Sequence, residues 1–467
     1  MQREISYWIL GVGILIGSMA GSDMQGADPP TGPKERLVEA GEGGRGAFSP
    51  PKSAIASEVP GSSDAPQIPQ PLSLPWAKTE ALDKNPEILA TKKKWEATRA
   101  RVPQARSLDD PKFSWMVYGD SIETRAGPME NVFSLSQKFP FPGKLELRGK
   151  IAQEVANSNE DLLKNVQLKI IAAVKNIYYD LYMSEKSIQI TRENVELVKN
   201  FAQIALTKYK AGQVSQQDVL RAQVELAALA NALLILQEKK ESARARLNKL
   251  LNRPTTSPLG EVPDFELSPF RMTFVELAPL ARQNRPQLAS LSHIIKKAEA
   301  GLALARKNYH PDLMLGLQYW DIGREGGMRN GDDAWAVRMS INLPIWWDRL
   351  KAAALQAEAQ IAKAEADYQE MENITLFQVK DALVKVEIAQ RSAVLYQTTI
   401  IPQAEQTLKV STTSYQAGKL DFLTLIDNWR MLLKFRLEYF RQLANFEKSL
   451  ADLERAVGVE LVNLNPR

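Results

Sequence analysis

The chain has 467 residues, 44% of them apolar, and a formal net charge of only +4. It is long enough to bury a substantial core, and with no basic stripe interleaved with aromatics it gives no reason to expect a nucleic-acid partner. It contains no cysteine, which excludes disulfides, thiolate metal sites, a cysteine nucleophile and a lipid-modified cysteine.

The N-terminus has a thin basic start, Arg3 partly offset by Glu4, followed by a nearly uncharged apolar stretch from Tyr7 to Ala20. Ser18-Met19-Ala20 puts small residues at the two positions a signal peptidase reads. Residues 1–20 are therefore expected to be a signal peptide, with Gln25-Gly26-Ala27 as an alternative cleavage site. An uncleaved anchor is the competing reading, and the stretch is short for one. Nothing after residue 25 runs for about 18 apolar residues, so a return to a membrane would have to be as a barrel. Residues 21–75 mix many prolines (Pro29, Pro30, Pro50, Pro51 and Pro60 among them) with Gly, Ser and Glu. Such a segment buries too little apolar surface to offset its ordering entropy, and it reads as a disordered leader.

The rest of the chain is one plan used twice. Asn85-Pro86 is matched by Arg285-Pro286, Pro111 by Pro311, Phe139-Pro140-Phe141 by Leu343-Pro344-Ile345, and Tyr209-Lys210-Ala211-Gly212 by Tyr415-Gln416-Ala417-Gly418. These ordered matches, all about 200 residues apart, indicate an internal duplication. The first repeat, 76–260, is expected to hold a helix, a strand hairpin at 112–141, a long helix at 144–210 and a helix at 213–252. The second, 261–467, is expected to repeat this with a helix, a hairpin at 312–345, a long helix at 348–416 and a helix at 419–458.

The strands alternate with period two. Leu313, Leu315, Leu317 and Tyr319 share one face, and Met314, Gly316 and Gln318 the other. Trp335, Val337, Met339, Ile341 and Leu343 likewise oppose Ala336, Arg338, Ser340 and Asn342. Phe113, Trp115, Val117, Phe133, Leu135 and Phe139 repeat this less cleanly in the first copy. The turns are expected at Arg125-Ala126-Gly127-Pro128, within Ser121–Glu130, and at Gly323–Asp333. The helices outrun the needs of a globular domain: residues 152–210 contain no proline and would reach roughly 90 Å. The next helix carries a heptad seam, Val219, Ala222, Leu226, Leu229, Leu233, Leu236, Lys240, Ala243, Leu247 and Leu250, broken only by Lys240.

A soluble coiled coil would account for the seam alone, and a sandwich packed in water for the strands. Four short strands cannot close a barrel by themselves, and an open edge is not tolerated in lipid. The apolar faces carry Trp115, Phe133, Tyr319 and Trp335, with Trp346-Trp347 just beyond, which is the distribution a membrane interface favours. Trimerisation would supply twelve strands, and the same symmetry would gather twelve long helices into a tube; a soluble sandwich is the other reading.

The duplicated order, the segment Ser136-Gln137-Lys138-Phe139-Pro140-Phe141-Pro142-Gly143-Lys144, the two Tyr-x-Ala-Gly breaks, Asp218-Val219-Leu220-Arg221-Ala222-Gln223 and the closing Ala456-Val457-Gly458 together resemble the TolC-type outer-membrane efflux channel family over about residues 75–462. Phe139 to Lys144 is most like the branch that exports heavy-metal cations. The resemblance implies an α+β membrane protein, four strands per protomer in a trimeric 12-stranded outer-membrane barrel continued by a long antiparallel α-helical periplasmic tunnel, with outer-membrane lipid around the homotrimer and a periplasmic adaptor (membrane fusion) protein and an inner-membrane pump as partners. It places the two glycine breaks at the periplasmic tip, with Gly212, Gln213, Val214, Gly418, Lys419 and Leu420 as adaptor-docking residues. It also implies gate positions. Tyr415 stands at the family's tyrosine and Asp218 at its aspartate partner. Leu420 and Gln217 stand where the family has an arginine link, which should be missing here. Of two ring aspartates, Thr424 replaces one and Asp427 keeps the other, although Asp427 on a solvated face paired with Arg430 also fits. Pro402, whose first-copy counterpart is Glu196, should bend the second hairpin inward to form the constriction.

No catalytic constellation is visible. His293 and His310 read as surface or packing residues, and no metal spacing or phosphate-binding loop occurs, so neither cofactor nor metal is expected. The function read from the sequence is an export channel protomer in the outer membrane, extending into the periplasm. A periplasmic coiled-coil adaptor or scaffold is the alternative, and a secreted enzyme would lack a visible site.

Overall fold

A computed structural model describes residues 71–267, 269–324 and 331–461. The expected signal peptide and nearly all of the expected leader lie outside the described residues. The leader's last few residues do not: Leu72 is fully buried, its amide donates to the Glu261 carbonyl at 2.9 Å, and its carbonyl accepts from the Tyr178 hydroxyl at 2.9 Å.

Each copy begins with two helices rather than one. Helix α1 (Leu74–Lys84) gives way to α2 (Pro86–Arg106), and α5 (Phe274–Asn284) to α6 (Pro286–Lys307). The break falls at the residue before each proline, because the proline ring disfavours helical geometry there. Asn85 takes φ −67°, ψ 124° and Arg285 φ −70°, ψ 116°. Asn85 then caps α2, its side chain accepting from the Glu87 and Ile88 amides.

Four antiparallel strands follow the order β1 (Lys112–Thr124), β2 (Gly127–Phe139), β3 (Leu313–Ile322) and β4 (Ala334–Ile341), so each hairpin is sequential and the copies meet at β2–β3. The first hairpin lies within its expected bounds, its strands running past Ser121 to a tight turn at Arg125–Ala126, and a register irregularity falls between Val117 and Ile122.

Long helices leave the sheet. Helix α3 (Lys144–Lys210) is continuous over 67 residues, about 100 Å, and α4 (Gln216–Leu250) returns along it. In the second copy the expected single helix is interrupted: α7 (Trp347–Leu395) passes through a π turn at Tyr396–Ile400 into α8 (Ile401–Gln416), and α9 (Phe422–Val457) returns. The cause is Pro402. It has no N–H for the carbonyl four residues back and its ring collides with that carbonyl, so the turn widens, with the Ile401 amide reaching the Tyr396 carbonyl.

Three apolar clusters hold the bundle. One joins α1, α3, the end of α4 and α9 around Leu181, Tyr182 and Leu247. A second joins α5, α7 and the end of α9 around Leu383, Phe446 and Leu453. The third, at the end away from the sheet, joins α3, α4, α8 and α9 around Phe201, Tyr415, Phe422 and Trp429. The seam of α4 packs on α3 as its spacing requires, with Ala222, Leu229, Ala243 and Leu247 buried. Lys240, which breaks the seam, pairs with Glu185 of α3 at 3.0 Å. Helix α4 is long and apolar enough to cross a membrane by composition. It carries Arg221 and Glu225, however, and Glu225 is buried and ion-paired to α9, which places this helix in the bundle.

Candidate functional site

The sheet brings its alternating residues into rows. Trp115, Phe133, Tyr319 and Trp335 stand opposite one another across all four strands, and Phe113, Leu135, Leu317 and Val337 form the next row. All eight belong to the same face. Trp115 stacks on Phe133 at 6.0 Å between ring centroids, and Phe133 lies 6.3 Å from Tyr319. Trp335, Val337 and Met339 are 71%, 68% and 71% exposed, values that large apolar side chains do not keep in water without a covering. On the turn side of the aromatic row the same face turns polar: Asn131 accepts from Trp115 Nε1 at 3.0 Å and donates to Asp321 at 2.7 Å. From Leu313 to Tyr319 the apolar band spans about 20 Å along the strand at roughly 3.3 Å per residue. The opposite face carries Ser114, Ser134, Ser136, Gly316, Gln318 and Arg338. One face is built for hydrocarbon and the other for water.

The Phe139 to Lys144 segment joins the sheet to α3. Gly143 takes φ 86°, open to glycine, and turns the chain into the helix. The first helical side chain, Lys144, is buried. Its ammonium donates to Asp312 at 2.7 Å and to the His310 carbonyl at 2.9 Å, and Asp312 also accepts from the Phe141 amide at 3.0 Å. Burial alone would raise the Asp312 pKa, but hydrogen bonds from Lys144, the Phe141 amide and Lys138 outweigh it and bring it to about 2. His310 stacks on Phe141 at 4.3 Å. His293 bonds Glu154 at 2.7 Å, bracing α6 on α3.

The far end is made by two turns with one backbone. Gly212 (φ 69°) and Gly418 (φ 71°) are both left-handed. The Gly212 amide bonds the Tyr209 carbonyl at 2.9 Å and the Gln213 amide bonds Lys208 at 2.9 Å; Gly418 to Tyr415 at 3.1 Å and Lys419 to Ser414 at 2.8 Å repeat the pattern. Residues 211–213 and 417–419 are exposed, while Val214 and Leu420 are half-buried.

Between the turns Tyr415 is buried, packed on the Phe422 ring at 5.3 Å with the Lys208 ammonium 5.2 Å from its own ring. Its hydroxyl donates to Asp218 at 3.4 Å. Burial raises the Asp218 pKa against the opposing pull of the Tyr415 hydrogen bond and the Arg221 charge; burial and the Asp218 charge raise that of Tyr415. Gln217 is exposed, so it and half-buried Leu420 make no polar link. The Thr424 amide donates to Asp421, the cap of α9. Asp427 is exposed and accepts from Arg430 at 3.2 Å. Two polar ties here were not legible in the sequence: Trp429 Nε1 donates to the buried Asn194 at 2.8 Å, and Arg430 also engages Glu225. The only signal for either was a charge or amide flanking an apolar seam. No group of three or more His, Asp or Glu residues that could hold a metal occurs among the described residues.

The family described as outer membrane efflux protein matches residues 78–253 and 277–459. The chain belongs to the outer membrane efflux protein family. It is similar to the cobalt-zinc-cadmium resistance protein CzcC of Cupriavidus metallidurans, 24% identical over 88% of this chain and 97% of that protein. Among solved structures, the CmeC outer membrane channel of Campylobacter jejuni has the same fold, with a TM-score of 0.71 at 17% identity over 82% of this chain and 85% of that one. So does the outer membrane protein VceC of Vibrio cholerae, with a TM-score of 0.70 at 18% identity over 83% and 96%. As an outer membrane efflux protein, the chain is a channel subunit lying in the outer membrane and extending into the periplasm. The exposed apolar rows of the sheet are its lipid face.

Proposed function

We propose that three copies of this chain form one passive conduit, gated at the helical end, that passes divalent metal cations from an inner-membrane pump to the cell exterior. The observation that carries the trimer is the sheet itself. Its four strands present continuous apolar rows outward, and β1 and β4 are both edges with no partner strand among the described residues. Lipid tolerates neither edge, and three copies supply the twelve strands that remove all of them. Docking of a periplasmic adaptor on the two turns is supported by the exposure of residues 211–213 and 417–419 beside the exposed Leu220, Val224 and Leu423. Closure by Tyr415 and Asp218 is supported by their contact between the two helical hairpins, and Asp427 would line the opening with part of its charge met by Arg430. Membership of the outer membrane efflux protein family supports a chain that conducts rather than reacts.

The metal cargo is supported by the likeness of nearly the whole chain to CzcC. Deleting the gene should sensitise cells to cobalt, zinc or cadmium and leave tolerance to organic solvents unchanged. Sensitivity to solvents alone would overturn the cargo and keep the channel. Ala126→Cys, in the tight turn, should be labelled on intact cells by an impermeant maleimide; labelling only after permeabilisation would overturn the orientation.

A further inference from the structure

We infer that Arg430 and Glu225 form a second lock between the two helical hairpins, which must part for the conduit to open. This rests on the reading that the channel closes at this end. Glu225 lies on α4 in the first hairpin and Arg430 on α9 in the second. Glu225 is nine-tenths buried, and both of its oxygens are taken by one guanidinium: Arg430 Nε donates to Oε2 at 3.3 Å, and Nη2 bonds Oε1. Two-point pairing of this kind fixes direction as well as distance.

The lock sits two turns deeper than Tyr415–Asp218, since Glu225 follows Asp218 by one heptad along α4. It is also the stronger of the two. The Tyr415–Asp218 bond is long, at 3.4 Å, and involves a neutral donor. The Leu420–Gln217 position, by contrast, contributes no polar tie. The lock is built to be asymmetric on opening. Arg430 keeps a second partner on its own helix, Asp427, at 3.2 Å. If α4 and α9 separate, Arg430 is still paired, while Glu225 must find water. The cost of opening therefore lies on the Glu225 side, and the side of α4 is where a docked partner could act on it.

The test is resting conductance of the purified protein in planar bilayers. Glu225→Gln keeps the shape and removes the charge, and should raise the open-to-closed ratio roughly tenfold, the scale of a charged hydrogen bond. Arg430→Met should raise it further, because it leaves Glu225 buried and unpaired. The double variant should open no more than the larger single one, since both act through one pair. In a Glu225→Cys, Arg430→Cys chain, otherwise cysteine-free, a short bis-thiosulfonate cross-linker should return conductance to the closed level and a reductant should release it. If these variants conduct like the wild type while Tyr415→Phe with Asp218→Ala is leaky, the second lock is wrong and the gate stands. If all of them are silent, the gate at this end falls with it.

Discussion

The two helix turns at the far end share a backbone and differ in everything around it. Their glycines have the same φ and their capping hydrogen bonds match one for one. Yet Tyr209 in the first turn is 43% exposed, while Tyr415 at the same place in the second is 2% exposed and bonded to Asp218. The helices feeding them differ too: α3 runs unbroken and its counterpart widens into a π turn before Pro402. Duplication kept what the chain needs to reverse direction, because glycine geometry is demanded by the turn itself. It freed the side chains to diverge, and the divergence makes the second hairpin the one with contacts to lose.

The sharpest way to break this comparison is to exchange the helices' character. Glu196→Pro would put a proline into α3, where no widened turn receives it. It should cost about 3 kcal/mol or more and lower the thermal unfolding midpoint by several degrees. Pro402→Ala, in the second copy, should cost little and let α7 and α8 run on as one helix, which would straighten the hairpin away from the constriction and raise resting conductance in bilayer recordings. Equal costs for the two changes would mean that the π turn is not a response to the proline.

At the sheet the copies should behave alike. Leu135→Arg and Val337→Arg lie in the same apolar row, one in each copy, and each should cost about 2–4 kcal/mol per subunit. Ser136→Arg and Ser340→Arg, on the other face, should be tolerated. Yield of protein in the outer membrane, read by heat-modifiability in detergent, separates the pairs.

A smaller effect distinguishes the two tyrosines. Tyr415→Phe should loosen the closed state by about 1 kcal/mol, raising resting conductance, and Tyr209→Phe should leave it unchanged. Acid gives the smallest shift. Because burial raises the Asp218 pKa, the closed state takes up a proton more readily than an open state with that carboxyl in water. That contribution is fully present below the ordinary carboxylate value of about 3.9 and is lost as pH rises through the raised one. Resting conductance should therefore fall as the periplasmic side is acidified from neutrality, and Asp218→Asn should abolish the dependence.

The architecture was legible because it repeats. Two copies of helix, hairpin and long helix, with period two in the strands and a heptad seam in α4, left little freedom for another arrangement. Local conflicts were harder to place. Pro402 signalled a bend, but only the backbone reveals that the helix absorbs it by adding a residue to the turn. The turn at Arg125–Ala126 was legible from the Gly-Pro pair beside it, whereas the strand irregularity between Val117 and Ile122 was not, because it interrupts the alternation that marks a strand. At the gate, Tyr415 and Asp218 were found by their positions in a familiar pattern. Glu225 was not, because pairing across residues some 200 apart leaves no local trace, and Arg430 had an obvious nearer partner in Asp427.

The central claim is that the four-stranded sheet is completed only by other copies. In one chain β1 and β4 are separated by two strands, about 14 Å apart at roughly 4.8 Å per strand. The chain has no cysteine of its own. Cysteines at Phe113 and Val337, treated in outer membranes with a cross-linker shorter than that separation, should give covalent dimers and closed trimers on a denaturing gel. Trimers are the account's prediction; monomers alone, with both thiols present and accessible, would contradict it.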